Sequence, residues 1–137
     1  MQTINFWPIL VASIVSFGVS ALWYSPILFG KEWMSLVKMT DADMDAARSK
    51  GIWKLYIIQF IMTLIGFCVL AFVIASTSAQ GGSNGAFMGF LVWLGFVATG
   101  AVSGLIWEKY PFKLMLIDTV SILVTLVIGG AIIGAWK

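Results

Sequence analysis

A polar stripe runs along one face of an otherwise apolar segment near the end of the chain. Asp118, Ser121 and Thr125 recur at a spacing that places them on one side of a helix, at about 100° per residue. An ionised carboxylate near the centre of a bilayer costs about 2.5 to 3.5 kcal/mol. Asp118 must therefore be paired, solvated or protonated, and its chemistry is that of a proton or cation acceptor or of a structural partner.

Two other apolar segments carry similar polar positions. Ser20 and Tyr24 end a stripe of serines in the first segment, and Gln59 begins a shorter polar face in the second. We expect these faces to point inward, where Tyr24 and Gln59 would reach Asp118. Lys113, which precedes Asp118 by little more than one helical turn, is another candidate partner. The pattern leaves open whether Asp118 holds the bundle together or handles a proton or cation.

Four long apolar stretches must position these side chains. A helix needs about 20 predominantly apolar residues to cross a bilayer, and 61% of the chain is hydrophobic while 10% is charged. The sequence therefore predicts an all-α fold, an integral membrane bundle of four transmembrane helices in one domain, residues 1–137, with a short amphipathic loop helix. The predicted spans are residues 4–27, 52–75, 85–107 and 114–136, and the cytoplasmic loop is residues 28–51.

The basic residues predict the orientation of the spans. Lysines and an arginine cluster in the loop between the first two spans, two lysines lie between the last two, and the middle connection carries no charge. Positively charged loops face the cytoplasm, so both termini are expected outside it. Because these charges flank membrane spans, the basic pI does not indicate nucleic acid. The expected partners are membrane lipids, other copies of the chain and a small ion or solute.

Two short helices are predicted in the loop. Residues 31–38 place Trp33 and Leu36 on one face, as in a helix that lies in the membrane interface. A second helix is predicted to begin at Thr40, an N-cap residue followed three positions later by Asp43. The acidic residues at its start favour capping, with a cation site as the alternative.

Small residues form ridges that permit close approach between helices. Three pairs of glycines have the GxxxG spacing, which is typical of helix packing in membranes. We expect these ridges to pack within the bundle or between subunits. The glycines are Gly85, Gly89, Gly100, Gly104, Gly130 and Gly134.

Residue types that carry much of enzyme and metal chemistry are missing. The chain has no histidine and one cysteine, Cys68. A nucleophilic triad would lack its base, and zinc, haem, iron and disulfide chemistry would lack their usual ligands. We therefore expect no metal, no cofactor and no enzymatic activity.

The segment Trp23-Tyr24-Ser25-Pro26, followed by Gly30 and Trp33, resembles an uncharacterised bacterial membrane family, domain of unknown function 1761. The similarity extends over nearly the whole chain. It implies a four-helix architecture in a bacterial inner membrane, and it brings no reaction or substrate. The positions that the family pattern marks are Trp23, Tyr24, Ser25, Pro26 and Gly30.

Two explanations of this motif remain open. Pro26 ends a helix and Gly30 permits a sharp turn, so the motif could simply redirect the chain. Alternatively, the hydroxyls of Tyr24 and Ser25 offer a polar ligand a place at the inner mouth of the bundle.

Two functions fit the sequence. The first is a small homo-oligomeric channel or transporter for an ion or small polar solute, with the glycine ridge of the third span as the contact between subunits. The second is a non-transporting scaffold or lipid-interacting subunit, whose polar stripes are satisfied inside the bundle. The predicted ligand or ion path comprises Asp118, Ser121, Thr125, Gln59, Ser20, Tyr24 and Ser25.

Overall fold

A computed structural model describes residues 3–136 of the chain as a bundle of helices, with no strand among these residues. Four helices are long and apolar enough to cross a membrane, which confirms the predicted fold class. The third is interrupted by a π-helical segment. The elements are α1 (Phe6–Trp23), α2 (Gly30–Leu36), α3 (Asp41–Ser49), α4 (Trp53–Ser76), α5 (Gly82–Val92), the π-helical segment Trp93–Ala98, α6 (Thr99–Trp107) and α7 (Phe112–Ala135).

The first span is shorter than predicted, because α1 ends at Trp23 rather than at residue 27. The chain turns there, and the backbone N–H of Phe29 donates to the carbonyl of Trp23 at 3.0 Å. Pro26 lies within this turn and has no N–H with which to continue the helix. The third span begins earlier than predicted, at Gly82.

The turn closes so tightly that one position requires glycine. The N–H of Gly30 donates to the carbonyl of Ser25 at 2.9 Å. A Cβ at Gly30 would lie 2.7 Å from the backbone carbonyl carbon of Ser25 and would also overlap the carbonyl oxygen of Tyr24. Close approach of two backbone segments therefore explains Gly30, and it directs α2 away from α1.

The second loop helix has the predicted N-cap. The hydroxyl of Thr40 accepts from the N–H of Asp43 at 3.1 Å, and the Asp43 carboxylate accepts from the N–H of Thr40 at 2.9 Å. This reciprocal arrangement is a capping box, which satisfies N–H groups that have no partner within the helix. The interpretation of Asp43 as a capping residue is thereby confirmed.

Glycines bring α5 and α7 into close antiparallel contact. A Cβ at Gly85 would lie 2.9 Å from the Cα of Gly134 and would overlap the carbonyl of Gly130. Gly89 lies against the backbone of Leu126 in the same way, and the N–H of Gly81 donates to the carbonyl of Gly134 at 2.9 Å. Four of the predicted packing glycines therefore form one interface within the chain.

Gly100 and Gly104 take no part in such a contact within the described residues, so of the two predicted kinds of packing only a contact between subunits remains for this pair. A Cβ at either position would meet no heavy atom within 4 Å. The π-helical segment lies between α5, which packs along α7, and α6, which touches α7 much less. The glycine ridge of the third span is thus divided into a packed half and an open half.

An apolar core fills the end of the bundle that contains the first residues of α1, here called the terminus end. Ile9 and Ala12 of α1 pack there with buried side chains of α4. The opposite end, at which residues 24–52 and 108–111 connect the helices, is called the loop end. The remaining core residues are Phe67, Leu70, Ala71 and Ile74.

Candidate functional site

The carboxylate of Asp118 lies at the loop end, on the face of α7 that meets α1. Its Oδ1 accepts a hydrogen bond from the hydroxyl of Tyr24 at 2.8 Å. Tyr24 follows the last residue of α1, so the turn that ends this helix also positions the hydroxyl. Ser121, one turn further along α7, is 3% exposed and lies beside the same Tyr24 hydroxyl. Asp118 is therefore held by a hydroxyl and lies beside a second.

Two tryptophans hold the backbone of α7 on either side of Asp118. The indole Nε1 of Trp23 donates to the carbonyl of Ile117 at 3.0 Å. The indole Nε1 of Trp93 donates to the carbonyl of Thr119 at 2.7 Å. Trp23 belongs to α1 and Trp93 begins the π-helical segment, so two neighbouring spans fix the helical turn that carries the carboxylate.

A cleft of about 430 Å³ opens beside Asp118, between α6 and α7. Its volume falls within the range of small-molecule sites, roughly 300 to 1,000 Å³. The lining combines two carboxylates, two aromatic rings, hydroxyl groups and small residues. It consists of Gly100, Ala101, Ser103, Gly104, Trp107, Glu108, Tyr110, Met115, Asp118 and Thr119.

The cleft has acidic side chains and no basic ones. Glu108 and Asp118 line it, and no lysine or arginine is among the lining residues. Lys113 turns away, because its Nζ pairs with Glu32 of α2 at 3.2 Å. Within residues 3–136, Asp118 takes part in no ion pair. Of the candidate partners named from the sequence, Tyr24 is therefore the one that bonds to Asp118, and Lys113 pairs with Glu32 instead.

Tyr110 lies in the connection between α6 and α7, and the carboxylates of the cleft affect the pKa of its hydroxyl. Burial raises the pKa of its hydroxyl, and the negative charge of Asp118 raises that pKa further. Glu108 acts in the same direction. Tyr110 therefore lies close to both carboxylates that line the cleft.

The other predicted path residues divide into three groups. Ser20 is partly buried on α1, one turn before Tyr24, and Thr125 is partly buried with its hydroxyl donating to the carbonyl of Ile122 at 3.0 Å. Ser25 donates to the carbonyl of Leu22 at 2.6 Å, so its hydroxyl serves the turn. Gln59 is exposed on α4 and is not part of the Asp118 cluster, which corrects the predicted grouping.

The polar stripe is closed before it reaches the terminus end. The ring of Phe67 lies directly against Gly129, where a Cβ would overlap it. Ser16 of α1 lies about 12 Å from Tyr24 along the helix, is 2% exposed, and its hydroxyl has no hydrogen-bond partner among the described residues. The stripe thus extends inward from the loop end past Asp118 and stops at the apolar core.

Sequence reasoning missed several residues of this site. Trp93 is absent from the predicted path, and the structure shows its indole bonded to α7. Its position deep in a span was the available signal, because a buried indole N–H requires an acceptor. Trp107, Glu108 and Tyr110 are also absent from the predicted path, and in the structure they line the cleft beside Asp118. Their shared cleft depends on the separation of α6 from α7.

The cleft offers fewer ligands than the common divalent metal sites use. Among residues 3–136, no three histidine, cysteine, aspartate or glutamate side chains form a group that could hold one. Calcium takes six to eight oxygen ligands and magnesium six, which two carboxylates and a few hydroxyls do not supply.

Four membrane-length helices with a polar cleft at one end are the architecture of a multi-pass membrane protein. The chain belongs to the family described as "Protein of unknown function (DUF1761)", whose model matches residues 7–134. The resemblance of the motif around Trp23 and Gly30 to this family is thereby confirmed. No curated protein and no solved structure matches the chain.

Proposed function

We propose that this protein is a small membrane transporter or channel that binds a cation, or a small polar solute carrying positive charge, at Asp118. The observation that supports the proposal is the position of this carboxylate. It lines a cleft of about 430 Å³ and has no cationic partner among residues 3–136. Carboxylates within spans are rare, usually face a bundle interior or a water-filled cavity, and mark ion or substrate pathways.

The surroundings of Asp118 favour its role as an acceptor. The bond from Tyr24 orients one carboxylate oxygen, and the two tryptophans fix the turn of α7 that carries the carboxylate. None of these groups neutralises a negative charge, since each is a neutral donor. A proton, water or a bound cation would supply the charge compensation or solvation that Asp118 lacks among the described residues.

The path would run from the cleft along the stripe of Ser121 and Thr125. It would open to the terminus end only when the ring of Phe67 leaves Gly129. The unpaired hydroxyl of Ser16 supports a hydrated stripe, because a buried hydroxyl without a partner is costly. The π-helical segment before α6 is the element suited to such a movement, since π-bulges occur frequently at functional sites.

Assembly into a homo-oligomer forms part of the proposal. Gly85, Gly89, Gly130 and Gly134 are occupied within the chain, so a contact between copies would use the open face around Gly100 and Gly104. Because both glycines also line the cleft, the second copy would close the side of the cleft that faces the bilayer. The proposal also has the loop end in the cytoplasm and both termini outside it, since loops rich in lysine and arginine favour the cytoplasmic side. The cleft would then load from the cytoplasmic side of the cell membrane.

Flux into proteoliposomes tests the proposal. We expect Asp118→Asn to reduce proton or monovalent-cation flux by about tenfold or more, because the variant lacks the negative charge that binds the cation. A tenfold change corresponds to about 1.4 kcal/mol. Asp45→Asn is the matched control, because it removes the same charge from the exposed helix α3. Normal flux in a folded Asp118→Asn protein would contradict the proposal. Flux no higher than in empty liposomes, in the wild-type protein and in every variant, would contradict it as well.

A second surface depression favours a different function. A depression of about 260 Å³ between α2 and the start of α7 is lined by Lys31, Ser35 and Lys113, together with Glu32 and Leu36. Basic and hydroxyl side chains beside the end of a membrane span suit an anionic lipid headgroup. A scaffold that holds such a lipid would keep it as an adduct in native mass spectrometry and lose it in Lys31→Ala, while Asp118→Asn would change only stability.

A further inference from the structure

We infer that the cleft between α6 and α7 binds an organic ammonium group on a small amphipathic body, rather than an inorganic ion. This inference rests on the proposed binding at Asp118 and names the class of ligand. It is supported by the size of the cleft, by its aromatic walls and by the open glycines at its side.

Size separates an organic ligand from an inorganic ion. A cleft of about 430 Å³ holds far more than one small ion. An inorganic ion in that space would keep much of its water, because no three histidine, cysteine, aspartate or glutamate side chains among the described residues form a group around it. Ligand sites of this volume typically bury an organic molecule against apolar walls and fix it with a few polar groups.

Aromatic rings stand beside the two carboxylates. Trp107 and Tyr110 line the same cleft as Glu108 and Asp118. The side chain of Trp107 is 82% exposed, so its faces are available to a ligand. A positively charged nitrogen is attracted to the face of tryptophan or tyrosine, and quaternary ammonium groups are recognised in this way. The carboxylates would contribute charge and the rings would replace part of the hydration shell.

Small and apolar residues leave room for the body of the ligand. A Cβ at Gly100 or Gly104 would meet no heavy atom within 4 Å, so the wall on this side is recessed. Met115 lies on the α7 side of the cleft and offers a flexible apolar surface. These residues would contact the methyl or methylene groups of an organic ligand, which a hydrated inorganic ion lacks.

The same chemistry could come from two sources. A free amine could enter from the aqueous side of the loop end. The ammonium headgroup of a phosphatidylethanolamine could enter from the leaflet at the loop end, where Trp107 is exposed at the mouth of the cleft. Both would place the nitrogen between the carboxylates and the rings.

Tetraethylammonium is a suitable probe, with the full chain in nanodiscs made only of phosphatidylglycerol. Calorimetry should show saturable binding that weakens by about tenfold or more in Asp118→Asn. In Trp107→Leu binding should weaken by about twofold to thirtyfold, the range that corresponds to cation–π contacts of about 0.5 to 2 kcal/mol. Trp53→Leu is the control, since Trp53 is an exposed tryptophan outside the cleft.

Nanodiscs that contain phosphatidylethanolamine distinguish the two sources. Weaker tetraethylammonium binding in these discs, with the difference lost in Trp107→Leu, would indicate the lipid headgroup. Equal binding in both kinds of disc would indicate a free amine. Either result supports an ammonium site, since both require the probe to bind and to depend on Asp118 and Trp107.

The ammonium inference can fail while the proposed function stands. Cation flux that depends on Asp118, without saturable tetraethylammonium binding, would overturn the ammonium site alone. Binding that Trp107→Leu leaves unchanged would do the same. Absence of both flux and binding in the wild-type protein would overturn the ammonium site and the proposed function together, provided that circular dichroism shows the protein to be folded.

Discussion

The indole nitrogen of Trp93 donates to the carbonyl of Thr119 at 2.7 Å, next to the residue that carries the carboxylate. On the other side of Asp118, the indole of Trp23 donates to Ile117 at 3.0 Å. Carbonyls inside a helix already accept from the N–H four residues ahead, so each indole adds a second bond. The two bonds connect α7 to α1 and to the π-helical segment at the turn that carries the carboxylate.

Replacement of Trp93 by phenylalanine tests the bond and keeps an aromatic ring. We expect Trp93→Phe to lower the free energy of unfolding by about 1 kcal/mol, because a typical hydrogen bond contributes about 0.5 to 1.5 kcal/mol. Denaturant titration in mixed micelles, followed by circular dichroism, measures this change. Trp7→Phe is the control, since the Trp7 side chain is 65% exposed. Equal losses in both variants would show that the bond to Thr119 contributes nothing.

The glycine pairs predict opposite effects for the same substitution. Gly85→Ala should destabilise the protein by about 1 to 3 kcal/mol or more, because the added methyl group overlaps the backbone of α7. Gly100→Ala should be neutral or stabilising by up to about 1 kcal/mol, since space is open there and alanine favours a helix. Unfolding of the two variants under identical micelle conditions measures both effects.

Subunit number provides a second measurement on the same variants. If copies meet at Gly100 and Gly104, native mass spectrometry should show fewer subunits in Gly100→Leu than in the wild-type chain. Gly18→Leu is a control, because a Cβ at Gly18 also meets nothing within 4 Å. An unchanged subunit number in Gly100→Leu would remove this face from the proposed assembly.

The glycines also show how far the sequence could predict the fold. Four long apolar stretches and the Thr40 cap follow from local patterns, and the structure contains both. The GxxxG spacing occurs at Gly85 and again at Gly100, yet only the first is packed. A local motif describes the surface that a helix presents, whereas the partner depends on the whole bundle. The π-helical segment that separates the two halves has no comparable signature.

The candidate site was predictable in part for a related reason. The pair Tyr24 and Asp118 follows from placing polar residues at equal depth in antiparallel helices, and their hydrogen bond agrees with this. Gln59 has the correct depth but lies on an exposed face, since depth does not determine how a helix is rotated. Trp107 and Tyr110 resemble ordinary interfacial anchors until the separation of α6 from α7 creates the cleft.

Replacement of Gly30 tests the turn after α1. We expect Gly30→Ala to destabilise the protein by about 1 to 3 kcal/mol, because its methyl group would overlap the backbone of Tyr24 and Ser25. The turn also positions the Tyr24 hydroxyl, so cation flux should fall together with stability. Gly18→Ala is the matched control in α1, where open space predicts no loss. A Gly30→Ala protein as stable as Gly18→Ala would contradict the tight turn.

Protonation of Asp43 tests the cap of α3. The backbone N–H of Thr40, followed by its side chain, lowers the pKa of Asp43 below the usual 3.8. Because the folded pKa is the lower one, the capping contribution is present above about pH 4 and is lost as pH falls through the lowered pKa. Carboxyl carbon shifts in micelles should titrate with a midpoint below 3.8. Thr40→Ala should raise that midpoint part of the way, since its backbone N–H remains, and Ser49→Ala at the other end of α3 should leave it unchanged. A wild-type midpoint at or above the usual value would show that the capping box does not form in solution.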